Sequence, residues 1–408
     1  MAREMKDSGI QWVGIIPADW ECRRLRFLCE IQTGNQDTQD SIPDGLFLFY
    51  VRSPIVERSN KYTFEGPAIL MAGDGAGAGR VFHYVDGKYG CHQRVYSLQK
   101  ITDINRRFLY YYLSNLFYRE IEIANSKSTV DSVRLPMLQN FQVVFPNDHK
   151  QKKIVEHLDS KCAEIDAVLN KTRTSIEEYK KLKQAIITQA VTKGIRGDRP
   201  MKESGVIWLD AVPAEWTISK IKYTIFPKEK PVLPMDEVIT CFRDGTVTLR
   251  RNRREEGFTI SFTENGYQGV DVGDLVIHGM DTFAGAIGCS DSRGKTSPVV
   301  HVCSTVGNNR YFMYFLRYMA YSGVLMDFSN GVRIRSSDFR NFKKLAVFEM
   351  LVPPLREQNK IVDYLDSTLA KIDQVIKQKE ILISELEACK KSAIYEYVTG
   401  KKEVPNAY

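Results

Sequence analysis

Met5-Lys6-Asp7-Ser8-Gly9-Ile10-Gln11-Trp12, closing on Pro17-Ala18-Asp19-Trp20, returns as Met201-Lys202-Glu203-Ser204-Gly205-Val206-Ile207-Trp208 and Pro213-Ala214-Glu215-Trp216. The two copies stand at a constant offset of 196 and hold all four tryptophans. A second pair of segments repeats behind them. Gln151-Lys152-Lys153-Ile154-Val155, Leu158-Asp159 and Ile165-Asp166 recur as Gln358-Asn359-Lys360-Ile361-Val362, Leu365-Asp366 and Ile372-Asp373, at an offset of 207. The chain of 408 residues is therefore a tandem duplication of a unit near half its length, and a repeat of this kind governs every later assignment. Duplication predicts a pseudo-two-fold molecule, which suits a pseudo-symmetric ligand.

Each half divides in two. Residues 12–146 mix strand-like apolar runs with glycine-rich turns. Leu46-Phe47-Leu48-Phe49-Tyr50-Val51, Ala68-Ile69-Leu70-Met71 and Phe141-Gln142-Val143-Val144-Phe145 read as buried strands, and Phe108 through Ile123 as a helix. Residues 148–192 hold no glycine or proline. There Leu158, Cys162, Ile165, Leu169, Thr172, Ile176, Tyr179, Lys183 and Ile186 alternate spacings of four and three, a heptad seam. Leu365, Leu369, Ile372, Ile376, Lys379, Ile383, Leu386, Lys390 and Ala393 repeat that register, with polar interruptions at equivalent places. Such a seam needs a second helix over it. Pairing the two copies within one molecule is the simplest closure, and an approximate two-fold axis would make them antiparallel. Pairing between two chains is the other arrangement. A helix of about 42 residues spans roughly 60 Å, which predicts a rod with a globular domain near each end.

Helix starts are expected near Pro146-Asn147-Asp148 and after Pro353-Pro354. Ends are expected at Thr192-Lys193-Gly194 and Thr399-Gly400, where glycine supplies the left-handed cap. The predicted order is a globular domain over 1–147, a helix over 148–194, a second domain over 195–354, a second helix over 355–401 and a tail over 402–408. The fold class is two α/β (α+β) domains joined by two long helices in an intramolecular antiparallel coiled coil. Ala68-Ile69-Leu70-Met71-Ala72-Gly73 aligns with Asp274-Leu275-Val276-Ile277-His278-Gly279, and Leu138-Gln139-Asn140-Phe141 with Phe339-Arg340-Asn341-Phe342. Frames match and loops do not, as expected of two readers of different targets.

The repeat opening, Lys-Asp-Ser-Gly-Ile-x-Trp-x-Gly-x-x-Pro-x-x-Trp, and the passage Val352-Pro353-Pro354-Leu355-Arg356-Glu357-Gln358 before Lys360-Ile361-Val362 carry a family resemblance. Over essentially its whole length the chain resembles the DNA-specificity subunit of type I restriction–modification systems. The second passage is similar to that family's PPLxEQxxI signature. The first copy departs from it, since Phe145-Pro146-Asn147-Asp148-His149-Lys150-Gln151 lacks the second proline and the glutamate. The resemblance implies that each globular part is a target recognition domain and each helix a conserved spacer. It implies a non-catalytic, cytoplasmic subunit that recognises a bipartite, asymmetric double-stranded DNA target. Two adenine-N6 methyltransferase subunits and two ATP-dependent restriction subunits are the implied partners. S-adenosylmethionine, ATP and Mg would be bound by those partners, and no cofactor by this chain.

Composition fits this reading. The net charge of +7 is a mild basic bias, compatible with a polyanion. The eight scattered cysteines have no C-x-x-C spacing, so reduced thiols are expected, not a zinc site. No apolar run is long enough for a signal peptide or a membrane span. The loop Gly73-Asp74-Gly75-Ala76-Gly77-Ala78-Gly79-Arg80 is not a P-loop, since no Gly-Lys-Ser/Thr follows, and no G-x-G-x-x-G frame fits it. It is either a turn after a strand or a backbone able to approach a phosphate beside Arg80. There is no Asp/Asn-Pro-Pro-Tyr/Phe for adenine methylation and no Asp…Glu-x-Lys nuclease centre. An enzyme with an unrecognised site and a pure coiled-coil scaffold are the alternatives. The missing motifs argue against the first, and the basic runs against the second.

Three constellations point to DNA. Arg250, Arg251, Arg253 and Arg254 form a dense run that can grip phosphates or read guanine. The alternative is a solvated face neutralised by Glu255 and Glu256. Asn330, Gly331, Arg333 and Arg335 lie in a polar loop whose first-half counterpart holds Ser126, Lys127, Ser128 and Thr129. Gly279, Met280, Asp281 and Thr282, with Ser297, resemble a segment common in the family's recognition domains. Their first-half counterparts are Gly73 and Asp74, with Gly75, Gly77 and Arg80 beyond, and His92, Gln93 and Arg94. The tryptophans are expected to lock each domain to a helix end, not to stack on bases.

Overall fold

The computed structural model describes residues 3–124, 132–253, 264–327 and 338–405. The chain forms two compact units. The first joins Met1–Arg173 to Glu380–Tyr408, and the second is Thr174–Lys379.

In the first unit, strands β1 (Glu30–Thr33), β2 (Ala68–Ala72), β3 (Phe82–Val85) and β4 (Val95–Gln99) make an antiparallel sheet in the order β1-β4-β2-β3. β2 is buried at every residue, because both faces of the sheet are covered. Side chains alternate along a strand. Ile69 and Met71 join Phe108, Tyr112, Phe117 and Ile121 of helix α1 (Arg106–Ala124) in one core. Ala68 and Leu70 pack on the other side with Tyr50, Tyr89 and Cys91. Glu21–Arg24 pairs with Gln142–Phe145, which delivers the chain to helix α2 (Asp148–Lys193).

The second unit repeats this plan. Strands β5 (Ile225–Pro227), β6 (Leu275–His278), β7 (Ile287–Cys289) and β8 (Val300–Thr305) form an antiparallel sheet in the order β5-β8-β6-β7. Leu275 and Ile277 face Tyr311, Phe312, Phe315 and Met319 of helix α3 (Asn309–Tyr321), while Val276 faces Ile239 and Val247. Thr217–Lys220 pairs with Glu349–Val352 ahead of helix α4 (Leu355–Val398).

One expected equivalence is corrected. Phe141 does not correspond to Phe342. Leu25 N donates to Phe141 O, and Ile221 N donates to Phe348 O, both at 2.9 Å. Leu138 and Leu345, three residues earlier in each copy, are both fully buried. The shared Asn-Phe dipeptide was a coincidence of type, and the backbone ladder sets the true register.

Asn147 caps α2, its side chain accepting from Lys150 N at 3.1 Å. Gly194 at φ +78° ends α2, and Gly400 at φ +70° follows α4. Each helix is shared, with α2 leaving the first unit at Arg173 and α4 entering it at Glu380. Within the first unit Asp166 pairs with Lys390 at 2.6 Å, Arg173 with Glu387 at 2.7 Å, and the His157 ring lies 4.6 Å from that of Tyr397. Within the second unit Lys183 pairs with Asp373, and Lys379 lies 5.7 Å from the Tyr179 ring. Partner numbers fall as helix numbers rise, so the helices pair antiparallel within the chain. Every seam position is buried or half-buried. The polar interruptions are satisfied, Lys183 and Lys390 by Asp373 and Asp166, and Thr172 by donating to Val168 O at 2.8 Å.

The tryptophans pack as expected. Trp20 shares a core with Ile394, Tyr397 and Val398, and Trp216 shares one with Ile187, Ala190 and Val191. Trp12 stacks on Phe141 at 6.2 Å, and Trp208 lies 6.3 Å from Phe315.

Candidate nucleic-acid interface

A groove opens at the C-terminal end of β2. Gly73 threads between two loop segments, donating to Arg94 O at 2.9 Å and accepting from Val133 N at 2.8 Å. A side chain there would meet Arg94 O and the Tyr96 ring at 3.0 Å, a tight fit that favours glycine. Asp74 follows and leads into a single 3-10 turn, Gly75–Gly77. Its carboxylate accepts from Arg52 Nη1 at 3.0 Å and from Arg94 Nη1 at 2.5 Å. Burial works to raise this carboxyl, but the Arg94 and Arg52 hydrogen bonds outweigh it and hold Asp74 below the usual range. His92 is buried. Its Nδ1 accepts from Arg94 N at 3.0 Å, and its Nε2 stands 3.4 Å from Asp37. The cavity of about 600 Å³ is lined by Thr38, Arg52, Ser53, Asp74, Gly75 and His92.

The second unit builds the same corner. Gly279 donates to Val299 O at 2.9 Å and accepts from Phe339 N at 2.7 Å. Asp281 precedes the turn Thr282–Ala284. Its carboxylate accepts from Arg243 Nη2 at 3.0 Å. The buried Thr282 hydroxyl donates to His278 O at 2.5 Å, and His278 Nδ1 accepts from Asp281 N at 3.1 Å. Burial pushes the His278 imidazole below its ordinary range, so it is neutral at pH 7. A cavity of about 850 Å³ is lined by Arg243, Arg250, Arg253, Tyr267, Asp281 and Ser297. Arg253 pairs with Asp244 at 2.8 Å and covers the Phe242 ring at 4.2 Å, while Arg250 Nε reaches Thr240 Oγ1 at 3.4 Å.

The first groove thus gathers Asp74, Gly75, Gly77 and His92, with Gly73 leading into its corner, Arg94 on Asp74 and the exposed Gln93 beside it. Arg80 does not join them. Its guanidinium lies 3.6 Å from the Tyr118 ring, in a separate groove lined by Ser114, Lys391 and Tyr395. The second groove gathers Arg250, Arg253, Asp281 and Ser297, with Gly279 and Thr282 shaping its corner and Met280 exposed. Arg251 instead pairs with Glu237 at 2.6 Å. Ser126, Lys127, Ser128, Thr129, Arg254, Asn330, Gly331, Arg333 and Arg335 lie outside the described residues, as do Glu255 and Glu256.

Sequence reasoning missed Arg52 and Arg243. Each comes two residues after a strand, Phe47–Tyr50 or Ile239–Cys241, and each binds the aspartate of its own groove. Their offset of 191 matches neither repeat offset, so pairing segments by offset passes over them. Among the described residues no group of three His, Cys, Asp or Glu could hold a metal ion, and no helix is long and apolar enough to cross a membrane.

Residues 17–178 match the family described as type I restriction modification DNA specificity domain. The chain is 24% identical over 391 residues to the type I restriction enzyme EcoDI specificity subunit of Escherichia coli, covering 90% of this chain and 84% of that one. It is 22% identical over 428 residues to the MjaVIII specificity subunit of Methanocaldococcus jannaschii, covering 96% and 95%. Over nearly its whole length the chain is thus similar to type I specificity subunits. A solved chain from work on complex assembly and conformational transition of the type I R-M system shares the fold. Its TM-score is 0.65 at 14% identity, over 95% of this chain and 99% of that one. The family match ends at residue 178, inside the first long helix. The chain carries the same frame again beyond that point, with the aspartate–arginine corner in both copies.

Proposed function

We propose that each groove of this specificity subunit reads one short DNA half-site, so that the target is bipartite and asymmetric. The carrying observation is the repeated pair, Arg52–Asp74 and Arg243–Asp281, both at 3.0 Å, set among unlike neighbours. An ionised carboxylate at the centre of a groove repels phosphate. It suits a base edge, where Asp accepts from cytosine N4 and Arg donates to guanine O6 and N7. The aspartate also holds the guanidinium in one orientation before DNA arrives, which lowers the ordering cost of binding. The arginines lining the second groove, Arg250 and the exposed Arg253, fit phosphate contacts that position the duplex.

The subunit is not itself the enzyme. In this reading two methyltransferase subunits bring S-adenosylmethionine and modify adenine N6. Two restriction subunits bring ATP and Mg, and the assembly works in the cytoplasm. The rigorously purified chain is expected to leave DNA unmethylated and uncut.

Methylome sequencing of cells carrying single substitutions tests the two-groove reading. Arg52→Ala should relax one position of the first half-site, and Arg243→Ala one position of the second, each costing about 1–3 kcal/mol against the preferred base. Arg253→Ala should weaken all sequences alike and flatten the salt dependence. Altered base preference in both half-sites from one substitution would overturn the reading.

A further inference from the structure

The two units differ where a tryptophan meets a helix start. In the second unit Trp216 Nε1 donates to Glu357 Oε2 at 2.9 Å. Arg199 donates to both oxygens of Glu357, at 2.5 and 3.1 Å, and also pairs with Glu215. The Arg199 guanidinium lies 5.4 Å from the Trp216 ring. By the repeat offsets, Arg199, Glu215 and Glu357 correspond to Arg3, Asp19 and Lys150. In the first unit the arginine again lies by its ring, at 5.9 Å from that of Trp20, and 3.7 Å from Asp19. The third member has changed sign, and Lys150 Nζ donates to Asp19 at 2.5 Å. The carboxylate that takes the indole N–H in the second unit therefore has no counterpart. Trp20 is only 2% exposed, and its Nε1 has no partner among the described residues.

An unmade hydrogen bond at a buried donor is costly, and the ring that carries this one lines a cavity. The space is about 250 Å³, lined by Arg3, Trp20, His149, Lys150, Lys153 and Lys402. Neither Lys153 nor His149 has an ion-pair partner among the described residues. Glu403 lies at the rim, pairing with Arg3 at 3.3 Å, and is 71% exposed. We infer that this cavity is a carboxylate-binding site, which a carboxylate enters to accept from Trp20 Nε1 between the Lys150 and Lys153 ammonium groups. That is the place the Glu357 side chain fills in the second unit. The carboxylate is either a free small acid or an acidic side chain of a bound protein.

The test uses the full chain labelled with 15N at tryptophan, with the Trp20 indole resonance assigned by Trp20→Phe. Titration with sodium glutarate should shift that resonance saturably, while sodium chloride at equal ionic strength should not. Lys150→Glu places a carboxylate in the cavity. It should move the resonance without ligand and weaken glutarate binding about tenfold or more, since like charges now meet. Trp20→Phe keeps an aromatic ring but removes the N–H, and should abolish the rise in Tm that glutarate gives, which guards against a misfolded Lys150→Glu. An unmoved resonance, an equal response to chloride, or an undiminished response in Lys150→Glu overturns the site. The source is separated on the assembly with the methyltransferase subunit, an arm that rests on the proposed function. A resonance already shifted without glutarate marks a partner's acidic side chain, and one still responsive to glutarate marks a free acid.

Discussion

Removing the Glu357 carboxylate strands two donors at once, the Trp216 indole N–H and the Arg199 guanidinium, both in buried surroundings. Breaking one side of a buried ion pair costs about 3–5 kcal/mol. Glu357→Ala is expected to lower the unfolding free energy of the second unit by about that amount, read by chemical denaturation. Lys150→Ala breaks a half-exposed pair with Asp19 and should cost about 0–1 kcal/mol. The acid response has a definite sign. Burial works to raise the Glu357 carboxyl, but the Arg199 and Trp216 hydrogen bonds outweigh it and hold it below its ordinary range. Its contribution is therefore present above the unfolded glutamate value of about 4.3 and is lost as pH falls through the folded value. Glu357→Gln should flatten that part of the acid-denaturation curve, and an unchanged slope would contradict the assignment. The sequence marked Glu357 by its motif and by its absence from the first copy. It did not mark what the residue holds, because Arg199 is 158 residues away. Arg52 and Arg243 were hidden likewise, since loops of unlike length put them out of repeat register.

At the scale of elements, the long helices were legible because spacing alone fixes a helix face. Every seam position from Leu158 to Ile186 and from Leu365 to Ala393 is at least half-buried. The four-stranded sheets were legible only in part. β2 announced itself by five apolar residues, whereas β1, Glu-Ile-Gln-Thr, carries no such run. The Leu138–Phe141 alignment misled because it counted residue types, while register is set by backbone hydrogen bonds. Each long helix belongs to both units; α2 lies on the covalent path between the two grooves, and α4 pairs with it antiparallel. Deleting four residues from each at matched heptad positions removes about one turn, or 5.4 Å. The half-sites should stay the same while the unread spacer shortens by one or two base pairs. Four is not a multiple of seven, so the seam should lose some stability. An unchanged spacer with retained methylation would refute this role.

For the molecule as a whole, the first unit cannot be completed by the first half of the chain. Its core needs Ile394, Tyr397 and Val398 beside Leu158 and Cys162. Residues 174–193 are the repeat equivalents of 381–400 at the offset of 207. A chain cut after Arg196 should therefore dimerise, each copy closing the other with its own helix, and should read two identical half-sites. Light scattering decides between this dimer and a stable folded monomer, which would contradict it. The discontinuity also orders events during synthesis. The second unit is one run of chain from Thr174 to Lys379, complete before the last helix turns are made. The domain translated first is thus finished last. At about 5–20 residues per second, the interval from Arg173 to Val398 is roughly ten to fifty seconds. Through that wait the nascent α2 offers Leu158 and Cys162 uncovered, and whatever stands near the ribosome, a chaperone or an assembly partner, has that long to take hold.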